Sequence, residues 1–429
     1  MDLLLLFLII IGVAFMAPVI TRRIHVPEVT GIIIFGIILG GYGLLPYWGI
    51  PEYAIVAVNR EGEILSSVGE EQLDVNQIKY GAILNELANL GIIFLMFLAG
   101  LEMDLDQVKD KFKDTLLLGL LTFLIPFASG YLMARFFHQS FNVSLLVGVI
   151  LSTTSIGVVL PVLKKLELIR TKIGSLIIGS ATIDDVLSMI SLAVLLKIIL
   201  SPAGSQSIPQ FILIIALFFI SVLYLTPKFA EVLLKRPKMM VSIEAETRFM
   251  IIVMLFIVLI SEELQLHGIV GAFLAGLAFS GYVKTGWFIE KINAIGYGFF
   301  IPIFFFMVGA KTDLGVFFQL ADKLVFAVFL IIIAVLSKFT GAFIAGKLIG
   351  LDNKETVGIS FAMITRLAVG LAAANVALEN GLIDTSIFSS FVVLATLTTL
   401  MTPPLARMFL HREEKIEGVM FRENNERGK

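Results

Sequence analysis

Thr30-Gly-Ile-Ile-Ile-Phe-Gly-Ile-Ile-Leu-Gly-Gly-Tyr42 returns in outline as Val270-Gly-Ala-Phe-Leu-Ala-Gly-Leu-Ala-Phe-Ser-Gly-Tyr282. Without a gap, Gly31, Gly36, Gly41 and Tyr42 fall on Gly271, Gly276, Gly281 and Tyr282. Further along each copy, Phe97-Leu-Ala-Gly-Leu-Glu-Met-Asp-Leu105 matches Phe306-Met-Val-Gly-Ala-Lys-Thr-Asp-Leu314. Glycines recur in membrane helices simply because they allow close packing. Two matches in the same order, each seven apolar runs apart, argue instead for an internal repeat.

Composition says what the repeat is made of. Of 429 residues, 58% are hydrophobic and only 15% charged, and the mean hydropathy is +0.97. A soluble domain carries about a quarter charged residues. The apolar residues fall in successive runs of roughly 18–28, long enough to cross a bilayer as helices, with short charged connections between them. A transmembrane barrel would instead alternate over strands of about ten residues. The expected fold class is an all-α polytopic membrane protein. The chain has no cysteine, which excludes disulfides, thiol chemistry and cysteine-ligated metals. Residues 2–20 lack a basic leader and read as the first membrane helix, not a cleavable signal.

About 13 spans are expected: 2–20, 28–47, 82–101, 115–136, 142–163, 172–199, 208–229, 247–265, 267–283, 294–311, 323–346, 356–378 and 384–408. Of the 32 basic residues, 24 fall on one side of this arrangement and six on the other, while Lys338 and Arg366 lie within spans. The richer side is cytoplasmic, so the N-terminus is outside and the C-terminus, with a short tail over 412–429, is inside. The external connection at 48–81 carries a modest acidic excess and is expected to form a small turn or hairpin. The matching spans are seven apart, an odd number, so the two copies cross in opposite directions. Many secondary transporters are built this way, with the substrate site at the repeat interface near the midplane.

The same correspondence pairs span 5 with span 12. Each has a polar break in its middle: Ser152-Thr153-Thr154-Ser155-Ile-Gly157 in one, Thr365-Arg366 followed by Gly370 in the other. Two discontinuous crossing helices here would offer backbone carbonyls and helix ends to an ion. A Ser/Thr cluster alone is equally readable as interhelical packing.

Span 6 contains the adjacent acids Asp184 and Asp185. An ionised carboxylate at membrane depth costs at least ~2.5–3.5 kcal/mol, and such groups usually face water or a partner. Ser180, Asp184, Ser188 and Ser191 share one helical face, with Asp185 about 100° round from it. Two close carboxylates in a low-dielectric cavity cannot both ionise freely, which suits such a site to exchanging a proton for a cation. Lys338 lies too deep in span 11 to snorkel and should seek an acid, either Asp184 or Asp185. For Arg366 the candidate partners are Glu86 and Glu102. The four histidines sit near span ends and receive no role.

Gly91-Ile-Ile-Phe-Leu-Met-Phe-Leu-Ala-Gly-Leu-Glu102, Gly268-Ile-Val-Gly-Ala-Phe-Leu-Ala-Gly276 and Pro302-Ile-Phe-Phe-Phe-Met-Val-Gly309 resemble the monovalent cation:proton antiporter-2 superfamily over roughly residues 5–408. The Asp184-Asp185 pair, with Lys338 in a Ser-Lys-x-x-Gly setting, is similar to its electrogenic sodium/proton antiporters. The resemblance implies that Asp185 binds cation and proton alternately and that Asp184 pairs with Lys338. It places Ser152, Thr153, Thr154 and Ser155 at a broken-helix cation site, Na⁺ being held by Asp185, Asp184 and Thr154, and Thr365 and Arg366 at the second break. It also implies a homodimer in the plasma membrane. An ion-carrying core (mainly 115–200 and 323–408) moves against a scaffold (mainly 1–101 and 208–311), the exchanger domain spanning 1–411. No cofactor, enzymatic activity or nucleic-acid partner is implied; the cargo is Na⁺, or K⁺ or Li⁺, against H⁺.

Two departures stand out. Many relatives carry Pro-Arg-Gly-Glu in the second break, where this chain has Thr365-Arg-Leu-Ala368. Potassium-efflux relatives have Gln-Asp at the acid pair and add a cytoplasmic nucleotide-binding domain. This chain keeps both acids and ends at Lys429 without a glycine-rich phosphate motif, so sodium is expected ahead of potassium. A passive cation channel would want a pore-loop filter such as Thr-Val-Gly-Tyr-Gly. An intramembrane aspartyl protease would bring its two acids from separate helices. Neither pattern is found.

Overall fold

A computed structural model describes residues 3–23, 27–41, 75–103, 112–169, 171–200, 208–234, 243–264, 266–280 and 286–410. The expected hairpin at 48–81 lies outside these residues except for its last turns, which are helical, and the 412–429 tail lies outside them altogether. The described chain is helical: α1 (Leu3–Arg23), α2 (Glu28–Gly41), α3 (Val75–Leu101), α4 (Phe112–Phe136), α5 (Phe141–Ser152), α6 (Ile156–Lys165), α7 (Lys172–Leu200), α8 (Ile208–Leu234), α9 (Ile243–Glu263) and α10 (Gly268–Ser280). There follow α11 (Gly286–Ile295), a π-turn (Gly296–Phe300), α12 (Ile301–Ala310), α13 (Gly315–Gln319), α14 (Ala321–Leu348), α15 (Asn353–Ala362), α16 (Ala368–Glu379) and α17 (Thr385–Phe409). Among the described residues, seven helical stretches are long and apolar enough to cross a membrane, and four shorter apolar helices accompany them.

The outer surface is greasy where a soluble protein would be polar. Leu213, Leu217, Ile220 and Tyr224 form an exposed stripe along α8, and Ile252, Phe256 and Leu259 another along α9. Such apolar faces suit an apolar surrounding such as lipid. The helices pack in two sets. One comprises α1–α3 with α8–α12; the other comprises α4–α7 with α14–α17.

Glycine sets the closest approaches in the first set. A Cβ at Gly36 would lie 2.3 Å from the Phe306 carbonyl oxygen, and one at Gly276 only 1.9 Å from that of Phe97. From the opposite helices, a Cβ at Gly309 would meet the Ile33 oxygen at 2.2 Å and one at Gly100 the Phe273 oxygen at 2.2 Å. Thus α2 beds on α12, and α10 on α3, at positions that correspond in the repeated sequences. Any side chain there must push two backbones apart, and such overpacking costs on the order of 1–3 kcal/mol. Gly276→Val is expected to lower the thermal unfolding midpoint in detergent by several degrees. Gly12→Ala, where nothing lies within 4 Å, should leave it unchanged or raise it.

The π-turn interrupts what the sequence presents as one span at 294–311. Pro302 has no N–H to give the Gly298 carbonyl four residues back, so the helix widens there. Tyr297, inside that turn, is swung to the wall of a cavity.

Candidate functional site

In span 5, α5 stops at Ser152 and α6 starts at Ile156. Thr153 and Ser155 have extended backbones, and Thr154 lies between them outside either helix. In span 12, α15 begins with an Asp352/Glu355 capping box and ends at Ala362, and α16 resumes at Ala368. The two interruptions bond to each other. The Ser155 amide donates to the Thr365 carbonyl at 2.9 Å, and the Thr365 hydroxyl donates to the Ser155 carbonyl at 3.1 Å. Gly370 admits the Thr153 hydroxyl, which would lie 2.8 Å from a Cβ at that position.

Helix α7 lays its polar stripe across this junction. The Ser180 hydroxyl reaches the Met363 sulfur at 3.8 Å, and the Ser188 and Ser152 hydroxyls are 3.3 Å apart. Between these contacts, Asp184 accepts from the Thr154 hydroxyl and from the Lys338 ammonium through one oxygen, Oδ2. The Lys338 ammonium also donates to the Ser152 carbonyl and, at 2.9 Å, to that of Thr122. All three of its protons are placed. The Thr122 carbonyl is free to accept because residue 126, whose amide would normally bond it, is proline.

Arg366 corrects an expectation. It pairs with neither Glu86, which is exposed, nor Glu102. Its guanidinium donates to three backbone carbonyls: Nε to Leu151 at 2.8 Å, Nη1 to Ile364 at 3.0 Å and Nη2 to Ala334 at 2.9 Å. For Leu151 and Ile364 the physical reason is the broken helices, whereas Ala334 lies within α14. An α-helix ends with carbonyls that have no intrahelical partner and a partial negative charge. Two cations, Arg366 at Leu151 and Lys338 at Ser152, cap the end of α5.

Asp185 differs from its neighbour. Both are buried, but Asp185 lines a cavity of about 360 Å³ and Asp184 does not. Thr154 and Ser155 share that wall, while Glu28, Glu102 and Tyr297 line it further along. One oxygen of each carboxylate, Oδ1, has no hydrogen-bond partner. The arrangement therefore offers an unpaired Asp185 oxygen beside the Thr154–Ser155 break, on the wall of a space large enough for water and a small cation. Among the described residues, no cluster of three His, Cys, Asp or Glu side chains could hold a metal ion.

Residues 10–410 match the sequence family described as the transmembrane sodium/hydrogen exchanger. The chain belongs to that family. A relative from Methanocaldococcus jannaschii, named probable Na(+)/H(+) antiporter 3, is 32% identical over 403 residues, 92% of this chain and 94% of the relative. The Na(+)/H(+) antiporter of Enterococcus hirae is 27% identical over 391 residues, 91% and 93% of the two chains. In fold, the exchanger is similar to the sodium proton antiporter MjNhaP1 of M. jannaschii, with a TM-score of 0.65 at 16% identity, covering 95% of this chain and 97% of that one.

In this exchanger the acid pair, Lys338 and both breaks meet in one place. The sequence does not single out the carbonyls of Thr122, Leu151, Ile364 and Ala334, nor Glu102 and Tyr297 as cavity wall. Pro126 is the signal that could have found Thr122, since a proline within a helix frees the carbonyl four residues earlier.

Proposed function

We propose that this exchanger carries a monovalent cation, sodium foremost, in one direction across the cell membrane and protons in the other, each taking its turn on Asp185. The observation that carries this reading is the division between the two acids. Asp184 is occupied by Lys338 and Thr154, whereas Asp185 opens onto the cavity. With Asp185 ionised, the formal charges of Asp184, Asp185, Lys338 and Arg366 cancel. Either Na⁺ or H⁺ then brings the site to the same +1, so the two compete on even terms. If a second proton rides with Lys338, as the resemblance implies, each cycle moves net charge, and the membrane potential contributes ~2.3 kcal/mol per charge per 100 mV.

Access alternates as the Asp-bearing core, 115–200 with 323–408, shifts against the scaffold, 1–101 with 208–311. Two helix sets that pack mainly within themselves support this division. The full topology has 13 spans in an inverted repeat with an external N-terminus and a cytoplasmic C-terminus. Its support is the skewed distribution of basic residues and the matched glycine contacts at Gly36 and Gly276. The assembly is a homodimer, as the resemblance implies.

Proteoliposomes loaded with a pH-sensitive dye test the ion. After an inside-acid gradient is set, sodium chloride is expected to dissipate it at concentrations where potassium chloride does not, with lithium chloride alongside as a third salt. Equal or stronger potassium-driven recovery would reassign the exchanger to potassium. Recovery with no added cation would make it a leak.

A further inference from the structure

The two helix sets touch differently at the two ends of the site. Gly40, at the C-terminal end of α2, would place a Cβ 2.6 Å from Ala310, so Lys311 sits at that end of the bundle. Glu28, at the N-terminal end of α2, lines the cavity. The cavity and Lys311 are therefore at opposite membrane faces.

At the Lys311 face the sets are tied. The Lys311 ammonium is 3.1 Å from the Glu379 carboxylate and 3.3 Å from the Asn375 side-chain oxygen, both on α16. Nearby, the Asp313 amide donates to the Ser389 hydroxyl of α17 at 2.9 Å. At the cavity face the same kind of pair exists with its signs exchanged and its members apart. Glu102 directly follows α3, and Lys164 lies in the last turn of α6. Glu102 shares the cavity wall with Gly157, Val158 and Pro161 of α6, whose last turn carries Lys164, yet the two form no ion pair among the described residues. Glu102 and Lys311 occupy matching places in the repeated stretches Phe97–Leu105 and Phe306–Leu314.

The geometry points to a reciprocal ion-pair latch: Lys311–Glu379 holds one face shut in this state, and Glu102–Lys164 closes the other face when the first pair parts. This inference rests on the alternating-access reading above. Weak latches suit a carrier. Side chains of the formed pair are 17% and 30% exposed, and pairs of that kind shift an equilibrium by only about two- to fivefold. Each state is thus favoured without being trapped. Lys323–Asp384, at 2.9 Å, joins α14 to α17 within one set and has no part in the latch.

The cysteine-free chain permits a direct test. Gly157 lines the cavity and has open space around a Cβ, so Gly157→Cys in nanodiscs should react with N-ethylmaleimide at a rate set by how often the cavity is open. Glu379→Lys places two ammonium groups face to face and is expected to slow that reaction about threefold. Adding Lys311→Glu restores attraction with reversed signs and should bring the rate back to that of the parent. Glu102→Gln removes the other latch and should quicken labelling, the direction a merely structural role would not take. Lys323→Gln should leave the rate unchanged.

The latch is overturned by parental labelling in Glu379→Lys, by no recovery in a swapped protein that still elutes as a single folded peak, or by equal slowing in Lys323→Gln. It is also overturned if Glu102→Gln slows labelling. Sodium-dependent proton flux of the wild-type protein is measured separately. Its absence overturns the exchange reading, whereas normal flux with unmoved labelling overturns the latch alone.

Discussion

Asp185→Asn is expected to reduce sodium-dependent proton flux in proteoliposomes by at least about 100-fold while leaving the protein folded. The amide matches the carboxylate in shape, so packing beside Thr154 survives. It carries no charge and takes up no proton near neutral pH. Holding an uncompensated charge at membrane depth costs at least ~2.5–3.5 kcal/mol, which is about 100-fold in occupancy. The substitution also removes a like charge adjacent to Asp184, so the thermal midpoint should hold or rise. Asp184→Asn should behave differently. It strips Lys338 of its carboxylate partner and strands a buried ammonium, a loss of about 3–5 kcal/mol, so both stability and transport should fall. Two consecutive acids are thereby separated by experiment. Wild-type flux in Asp185→Asn would move the exchange chemistry to another group.

The second large effect is expected at Arg366. Arg366→Gln leaves the carbonyls of Leu151 and Ile364 short of their donors at a depth where water does not replace them, and leaves that of Ala334 only the Ser337 hydroxyl and its own helix. An unpaired buried polar group costs about 1–3 kcal/mol, so a total of several kcal/mol is expected. Arg366→Lys should recover only part of it, because Arg366 reaches its three carbonyls from three separate nitrogens of a wide planar fork, which a single ammonium nitrogen does not reproduce. The measurement is the thermal midpoint of the three proteins in the same detergent. An unchanged midpoint in Arg366→Gln would show that the broken helix ends do not depend on this cation.

The contrast between Lys338 and Arg366 shows how far the sequence could be read. An isolated lysine in an apolar run demands an acid, and the chain has two adjacent candidates on another span, so the pairing was legible to within one residue. Arg366 raises the same demand, and the acids near span ends, Glu86 and Glu102, are the candidates the chain offers. Its partners are main-chain carbonyls, which every residue possesses and no sequence distinguishes. Some of these groups are freed where a helix stops or a proline intervenes, as at Ser152 and Pro126, while Ala334 accepts from within an unbroken helix. The breaks themselves were legible from Ser152–Gly157 and Thr365–Arg366, because hydroxyls and a charge interrupt an otherwise apolar pattern. The π-turn at Gly296–Phe300 was not, since a widened helix keeps the hydropathy of a regular one. Glu102 was visible only as a charge near a span end; that it walls a cavity depends on α2, α6 and the second break converging on it.

The bedding of α2 on α12 has a consequence for biosynthesis. Some 260 residues separate Gly41 from Ile301, and at synthesis rates of about 5–20 residues per second the interval lasts tens of seconds. Throughout it, the notch at Gly36 has no protein partner and must be occupied by lipid or by the insertion machinery. A ribosome stalled before Ile301 would leave a nascent chain whose second helix is inserted but undocked, a ready substrate for membrane quality control.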